Sequence, residues 1–149
     1  MNKTNFLKKF DLLIGIDAGT NTGFAVWNVP LQQFQLVETY KIHQALDKVK
    51  EYISSGRSVK VVIEDARKRQ WFDDKKNSRA KLQGAGSIKR DCTIWEDFCK
   101  DIGVSYELIA PKHNVTKLDA KTFEAWTKYK GKTNEHNRDA CMLVFGRHI

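Results

Sequence analysis

Polar and apolar positions in this chain follow two rhythms, and the changes of rhythm mark out its elements. Leu12 to Asp17 is a continuous apolar run closed by a carboxylate, the pattern of a strand covered on both faces. Ala18 to Gly23 reads as a glycine-containing turn, and Phe24 to Trp27 as a second strand that completes a hairpin. After another turn at Asn28 to Pro30, Phe34 to Tyr40 alternates apolar and polar residues and predicts a half-exposed third strand. Ala45, Leu46, Val49, Tyr52 and Ile53 fall at helical spacing, with Gly56 placed to stop the helix. Val59 to Glu64 is a second buried-type strand, again closed by an acid.

The stretch from Asp65 to Gly86 is polar, basic and interrupted by glycine, with Trp71 and Phe72 set in it. It reads as a long loop, and long loops inside compact domains are usually functional. Ile88, Cys92, Trp95, Cys99 and Ile102 form a helical stripe, widened by Ile94 and Phe98 and ended by Gly103. Ser105 to Ala110 reads as a strand, Phe123 to Tyr129 as a short helix, and Arg138 to Phe145 as the start of a last one. This order predicts an α/β fold with a five-stranded mixed sheet, an antiparallel meander plus parallel strands, flanked by helices. The whole of 1–149 reads as a single domain, long enough for a core without disulfides.

Composition narrows the setting. The apolar runs are about one strand long, far short of the roughly 20 residues of a membrane helix, and the N-terminus lacks the apolar core of a signal peptide. Cys92, Cys99 and Cys141 are odd in number and lack CxxC spacing, which argues for reduced thiols in a cytoplasmic compartment and against zinc. Lys and Arg number 26 against 18 Asp and Glu, a net charge of +8 that favours a polyanionic partner, nucleic acid before anionic membrane. The distribution sharpens this. Arg67, Lys68, Arg69, Lys75, Lys76, Arg79, Lys81, Lys89 and Arg90 follow Glu64, and Lys112, Lys117, Lys121, Lys128, Lys130 and Lys132 lead towards Asp139. Trp71 and Phe72, among these charges, suit stacking on an unpaired base or folding back onto the core.

Three acids, Asp17, Glu64 and Asp139, sit where apolar strands end or an apolar helix begins. Carboxylates at buried edges repel one another unless a cation or hydrogen-bond donors stand among them. If the first and fourth strands pair, about 4.8 Å apart, Asp17 and Glu64 face one place from adjacent positions. His136, one helical turn before Asp139, shares its face if the helix starts early enough. Hard oxygen donors in this number suit a two-metal site with ions about 4 Å apart. Each residue also has a structural reading: Asp17 as a turn cap, Glu64 as a surface ion-pair partner, Asp139 as a helix-dipole partner, His136 as a surface histidine.

The pieces GIDAGTNTG (Gly15 to Gly23), VVIEDAR (Val61 to Arg67), APKHNVTKLDAK (Ala110 to Lys121) and TNEHNRDACMLV (Thr133 to Val144) span nearly the whole chain. Together, in this order, they resemble the RuvC-type Holliday junction resolvases of the RNase H-like superfamily, particularly short phage-type members. The resemblance implies an RNase H-like fold and a homodimer that resolves Holliday junctions or other branched DNA by paired nicks, leaving 5′-phosphate and 3′-hydroxyl ends. It implies two Mg2+ ions per active site, with Mn2+ as a substitute, held by Asp17, Glu64 and Asp139, with His136 as a fourth group of the metal set. His136 falls at the family's penultimate position, and Lys117 best matches its active-site lysine, with Lys112 and Lys121 as alternatives. DNA contacts are then expected from the basic residues between Arg67 and Arg90, from Trp71 and Phe72, and from Lys112 and Lys121. Asp65 would point to the opposite face from Glu64, and Glu135 has no assigned direction. A phage-encoded member would work in the cytoplasm of a bacterial host. Departures are Ala18, where the family often has Pro, and the position of Trp71 and Phe72, further along than the family's stacking aromatic. Competing readings are a nuclease of RNA–DNA hybrids and a non-catalytic DNA-binding module. An actin or sugar-kinase ATPase shares the D-x-G-T turn but needs two such domains.

Overall fold

The computed structural model describes residues 9–68 and 79–149, apart from the side chains of 79–82. Its elements are β1 (Leu12–Asp17), β2 (Asn21–Asn28), β3 (Gln33–Lys41), α1 (Ile42–Ser54), β4 (Val59–Glu64), α2 (Arg79–Ile102), β5 (Ser105–Ile109), α3 (Ala120–Thr127) and α4 (Glu135–Met142). Single 3-10 turns lie at Ala66–Lys68 and Pro111–His113. The strands form one sheet in the order β3-β2-β1-β4-β5. The β1–β2 and β2–β3 pairs are antiparallel, while β1–β4 and β4–β5 are parallel. The expected five-stranded mixed sheet is therefore present. Among the described residues no helix is long and apolar enough to cross a membrane.

Continuous apolar runs became inner strands because the sheet is covered on both sides. On one face Leu12, Ile14 and Ile16 of β1 join Val61 and Ile63 of β4, and they pack on Ala45 and Val49 of α1 and Trp95 and Cys99 of α2. On the other, Leu13 and Val62 meet Leu143 and Val144, and Ala25 and Val37 meet Phe123 of α3 and Ala140 and Cys141 of α4. β3 lies at a sheet edge and mixes exposed with half-buried positions, as its alternating sequence demands.

Two boundaries differ from the sequence reading. The stretch read as a loop from Asp65 to Gly86 gives way to α2 at Arg79, so Gly84 and Gly86 are helical. Cys92, Trp95 and Cys99 are fully buried further along the same helix. That anchorage offsets the roughly 1 kcal/mol cost of each helical glycine. The outer members of the predicted stripe, Ile88, Ile94 and Ile102, remain exposed. The last helix starts at Glu135 rather than Arg138, because Asn134 and Asn137 cap it reciprocally through their side-chain oxygens and main-chain N–H groups (2.8 and 3.0 Å).

Two glycines fix how closely α4 lies on the sheet. A Cβ at Gly15 would stand 2.1 Å from the Ala140 carbonyl oxygen, and one at Gly23 would stand 2.1 Å from that of His136. Both obstacles are main chain and cannot swing aside. Gly15→Ala is therefore expected to destabilise the fold by about 1–3 kcal/mol or more in urea titration. Gly86→Ala, whose new methyl meets nothing within 4 Å, should gain up to about 1 kcal/mol instead.

Candidate functional site

The parallel register of β1 and β4 pairs Ile16 with Ile63, so Asp17 and Glu64 leave the two strand ends at the same level. Side chains alternate along a strand, and Leu13 and Val62 belong to the α4 side of the sheet. Asp17 and Glu64 therefore face α4 as well. That helix brings His136 and Asp139 to the same end, with His136 Nδ1 at 3.4 Å from Asp17 Oδ2. Asp17, Glu64 and His136 line a cleft of about 570 Å³ between the 18–21 turn and residues Gly84, Ala85 and Ile88 of α2.

The position of α4 is itself held by polar side chains. The amides of Asn134 and Asn137 both donate to Thr39 Oγ1 on β3, at 2.9 and 3.3 Å. Arg138 Nε donates to the Leu118 carbonyl at 2.8 Å and pins the 115–119 loop to the helix. That loop returns the contact: the Lys117 main-chain N–H donates to Asp139 Oδ1 at 2.9 Å. Lys117 adopts a left-handed backbone, φ 60°, and its side chain is exposed. Asn114 in the same loop donates from Nδ2 to Glu64 Oε2 at 2.7 Å and to the Asp139 carbonyl at 3.2 Å.

The electrostatics record convergence of like charge. Burial, then the Glu64 and Asp139 charges, push the Asp17 carboxyl up to about 7, against a smaller opposing pull from His136. Burial and the Glu135 charge also raise Asp139, while the Lys117 N–H, His136 and Arg138 work the other way. Among the described residues no three His, Cys, Asp or Glu side chains are grouped closely enough to hold a metal ion as they stand. The donor set nevertheless fits a hard divalent cation in kind, being carboxylate oxygen whose mutual repulsion such an ion would relieve.

The basic residues divide. Arg67 is committed to Asp65 (2.7 Å) and Glu96 (3.0 Å), tying the end of β4 to α2 on the face away from Glu64. Its guanidinium holds Asp65 below the usual carboxylate range in spite of burial. Lys68 Nζ donates to the Leu108 carbonyl. Arg90, Lys112 and Lys121 are exposed and Lys89 is half-buried. Arg79 and Lys81 fall in the first turn of α2, whereas Arg69, Trp71, Phe72, Lys75 and Lys76 lie outside the described residues. Lys41, passed over in the sequence, donates to Asn21 at the cleft rim (2.8 Å). Asn114 and Thr39 were also passed over. Neither lies in an apolar pattern, so only the tertiary contact reveals them. The Asn134-x-x-Asn137 spacing was a usable capping signal.

The five-stranded mixed sheet in this strand order, flanked by helices, is an RNase H-like α/β fold. Among solved structures, that of T. thermophilus RuvC in complex with Holliday junction substrate is similar over 90% of this chain and 90% of that chain. The TM-score is 0.57 at 17% sequence identity, a likeness of fold. No protein-family model and no curated protein matches the chain.

A pH dependence follows from Asp17. The unfolded chain loses this proton near 3.8 and the folded, ion-free chain near 7. Between those values the folded state binds more protons than the unfolded state, so stability falls as pH rises through the window. With chelator present, Asp17→Asn should thus match wild type near pH 4 and exceed it by up to about 4 kcal/mol at pH 8 in denaturant titrations.

Proposed function

We propose that the chain is a divalent-metal-dependent, structure-selective endodeoxyribonuclease that cuts branched DNA, Holliday junctions foremost. The observation that carries this reading is the pairing of Asp17 and Glu64 in one cleft, with the Asp139 charge near enough to act on Asp17, in a chain of net charge +8. The fold shared with T. thermophilus RuvC, solved in complex with Holliday junction substrate, supports the substrate class.

Asp17 and Glu64 would hold Mg2+ or Mn2+ from the sheet and Asp139 from α4. Such ions, when bound, lower the pKa of water and stabilise charge on a leaving oxygen. The chain's own groups do the rest. The Lys117 N–H orients Asp139, leaving its second oxygen for the cation. His136 Nδ1, beside Asp17, is placed to hold or pass a proton at the cleft mouth. The exposed Lys117 side chain is suited to neutralising phosphate charge. Lys and Arg beyond the cleft draw the polyanion in, with affinity that weakens as salt rises. Paired nicks with 5′-phosphate and 3′-hydroxyl ends would require two such clefts in a homodimer, and a C2 dimer matches the near two-fold symmetry of a four-way junction. The chain is read as a single domain acting in the cytoplasm.

The test compares a four-way junction, an RNA–DNA hybrid and a linear duplex, each with Mg2+ and with chelator. Symmetric, religatable nicks in the junction alone, abolished by chelator, are the expected outcome. Asp17→Asn should lower the cleavage rate by about 100-fold or more while junction binding in gel shift persists. Cutting of the hybrid with the junction left intact would overturn the assignment.

A further inference from the structure

We infer that Asn114 is a positioning residue that sets the Glu64 carboxylate relative to Asp139 for ion binding, an inference that rests on the metal-dependent reading above. One planar amide spans the two acids. Its Nδ2 donates to Glu64 Oε2 at 2.7 Å and to the main-chain carbonyl of Asp139 at 3.2 Å. The strand that carries Glu64 and the helix that carries Asp139 are thus joined by a group that adds no charge to the cluster.

The amide orientation is forced. Turning it over would set its oxygen against the Glu64 carboxylate, so the nitrogen faces the acid and Oδ1 is left buried without a hydrogen-bond partner among the described residues. Buried polar atoms are rarely left so, and the exceptions call for an explanation. Here the orphaned oxygen is the consequence of directing the N–H groups at the Glu64 carboxylate and the Asp139 main-chain carbonyl. Local structure fixes the residue. Pro111 opens a 3-10 turn directly after β5, and the Asn114 main-chain N–H closes it on the Pro111 carbonyl at 3.1 Å. Three residues later the same loop donates the Lys117 N–H to Asp139. One short connection therefore positions acids from both elements, as groups behind metal ligands commonly do.

The test is calorimetric titration of metal-free protein with Mn2+. Asn114→Ala should bind about 10–100-fold more weakly than wild type. In a Glu64→Asp background, where the shortened acid withdraws from the amide, the same change should cost less than about 3-fold, because Asn114 acts through Glu64. An equal loss in both backgrounds would mean a general structural role and would overturn the inference. A second measurement needs no variant: the Asn114 side-chain amide NMR signals of wild type should move on adding Mg2+, with the midpoint of ion binding. Signals that stay in place while the ion binds, or unchanged affinity in Asn114→Ala, would overturn the inference and leave the nuclease reading standing. Wild type that binds neither ion would remove the metal reading and this inference with it.

Discussion

At Gly15 and Gly23 the main chain of α4 occupies the space that any side chain would need, and the arrangement of the site depends on that contact. The helix lies so low on β1 and β2 that the carbonyls of His136 and Ala140 rest on the strands themselves. An element held this closely cannot slide or tilt without clashing. His136 and Asp139 are therefore carried to the strand ends with little freedom, and Thr39 with the Asn134–Asn137 capping pair sets the helix position along β3. Rigid placement of this kind is what a site built from several elements needs, since small displacements of its groups are costly.

The cluster so assembled is unfavourable on its own. Burial and two neighbouring negative charges drive Asp17 towards its neutral form, a cost the fold carries in the absence of a cation. Local rules are broken at functional sites and offset elsewhere, and here the offset is visible. The Arg67–Asp65–Glu96 group, one guanidinium shared by two carboxylates, anchors the end of β4 to α2 on the opposite face. The core on that side, from Ile14 to Trp95, is fully buried.

The sheet was largely legible in advance, because a two-residue period and apolar runs closed by acids are local signals. The order of elements allowed the pairing of β1 with β4, and the structure supplies its parallel register and the shared level of Asp17 and Glu64. Helix starts were harder. Arg79 to Gly86 carries polar residues and glycines, and only burial of Cys92, Trp95 and Cys99 further along makes it part of a long helix. Arg67 illustrates the other failure. In the sequence it opens a basic run suited to phosphates, while in the fold its guanidinium is engaged by two carboxylates, one of them 29 residues away.

The sequence by itself determined the strand and helix periods, the excess positive charge and which acids end the strands on the buried side. These are properties of residues read against near neighbours, and a short stretch of chain contains all the information they need. Only the tertiary structure decided the depth of α4 over two glycines, the loop that gives Lys117 and Asn114 to the acids, and the pairing that withdraws Arg67 from the surface. The last two depend on groups 22 to 50 residues apart meeting within hydrogen-bond distance. Backbone packing and the desolvation of like charges fix such meetings, and no periodicity along the chain encodes them.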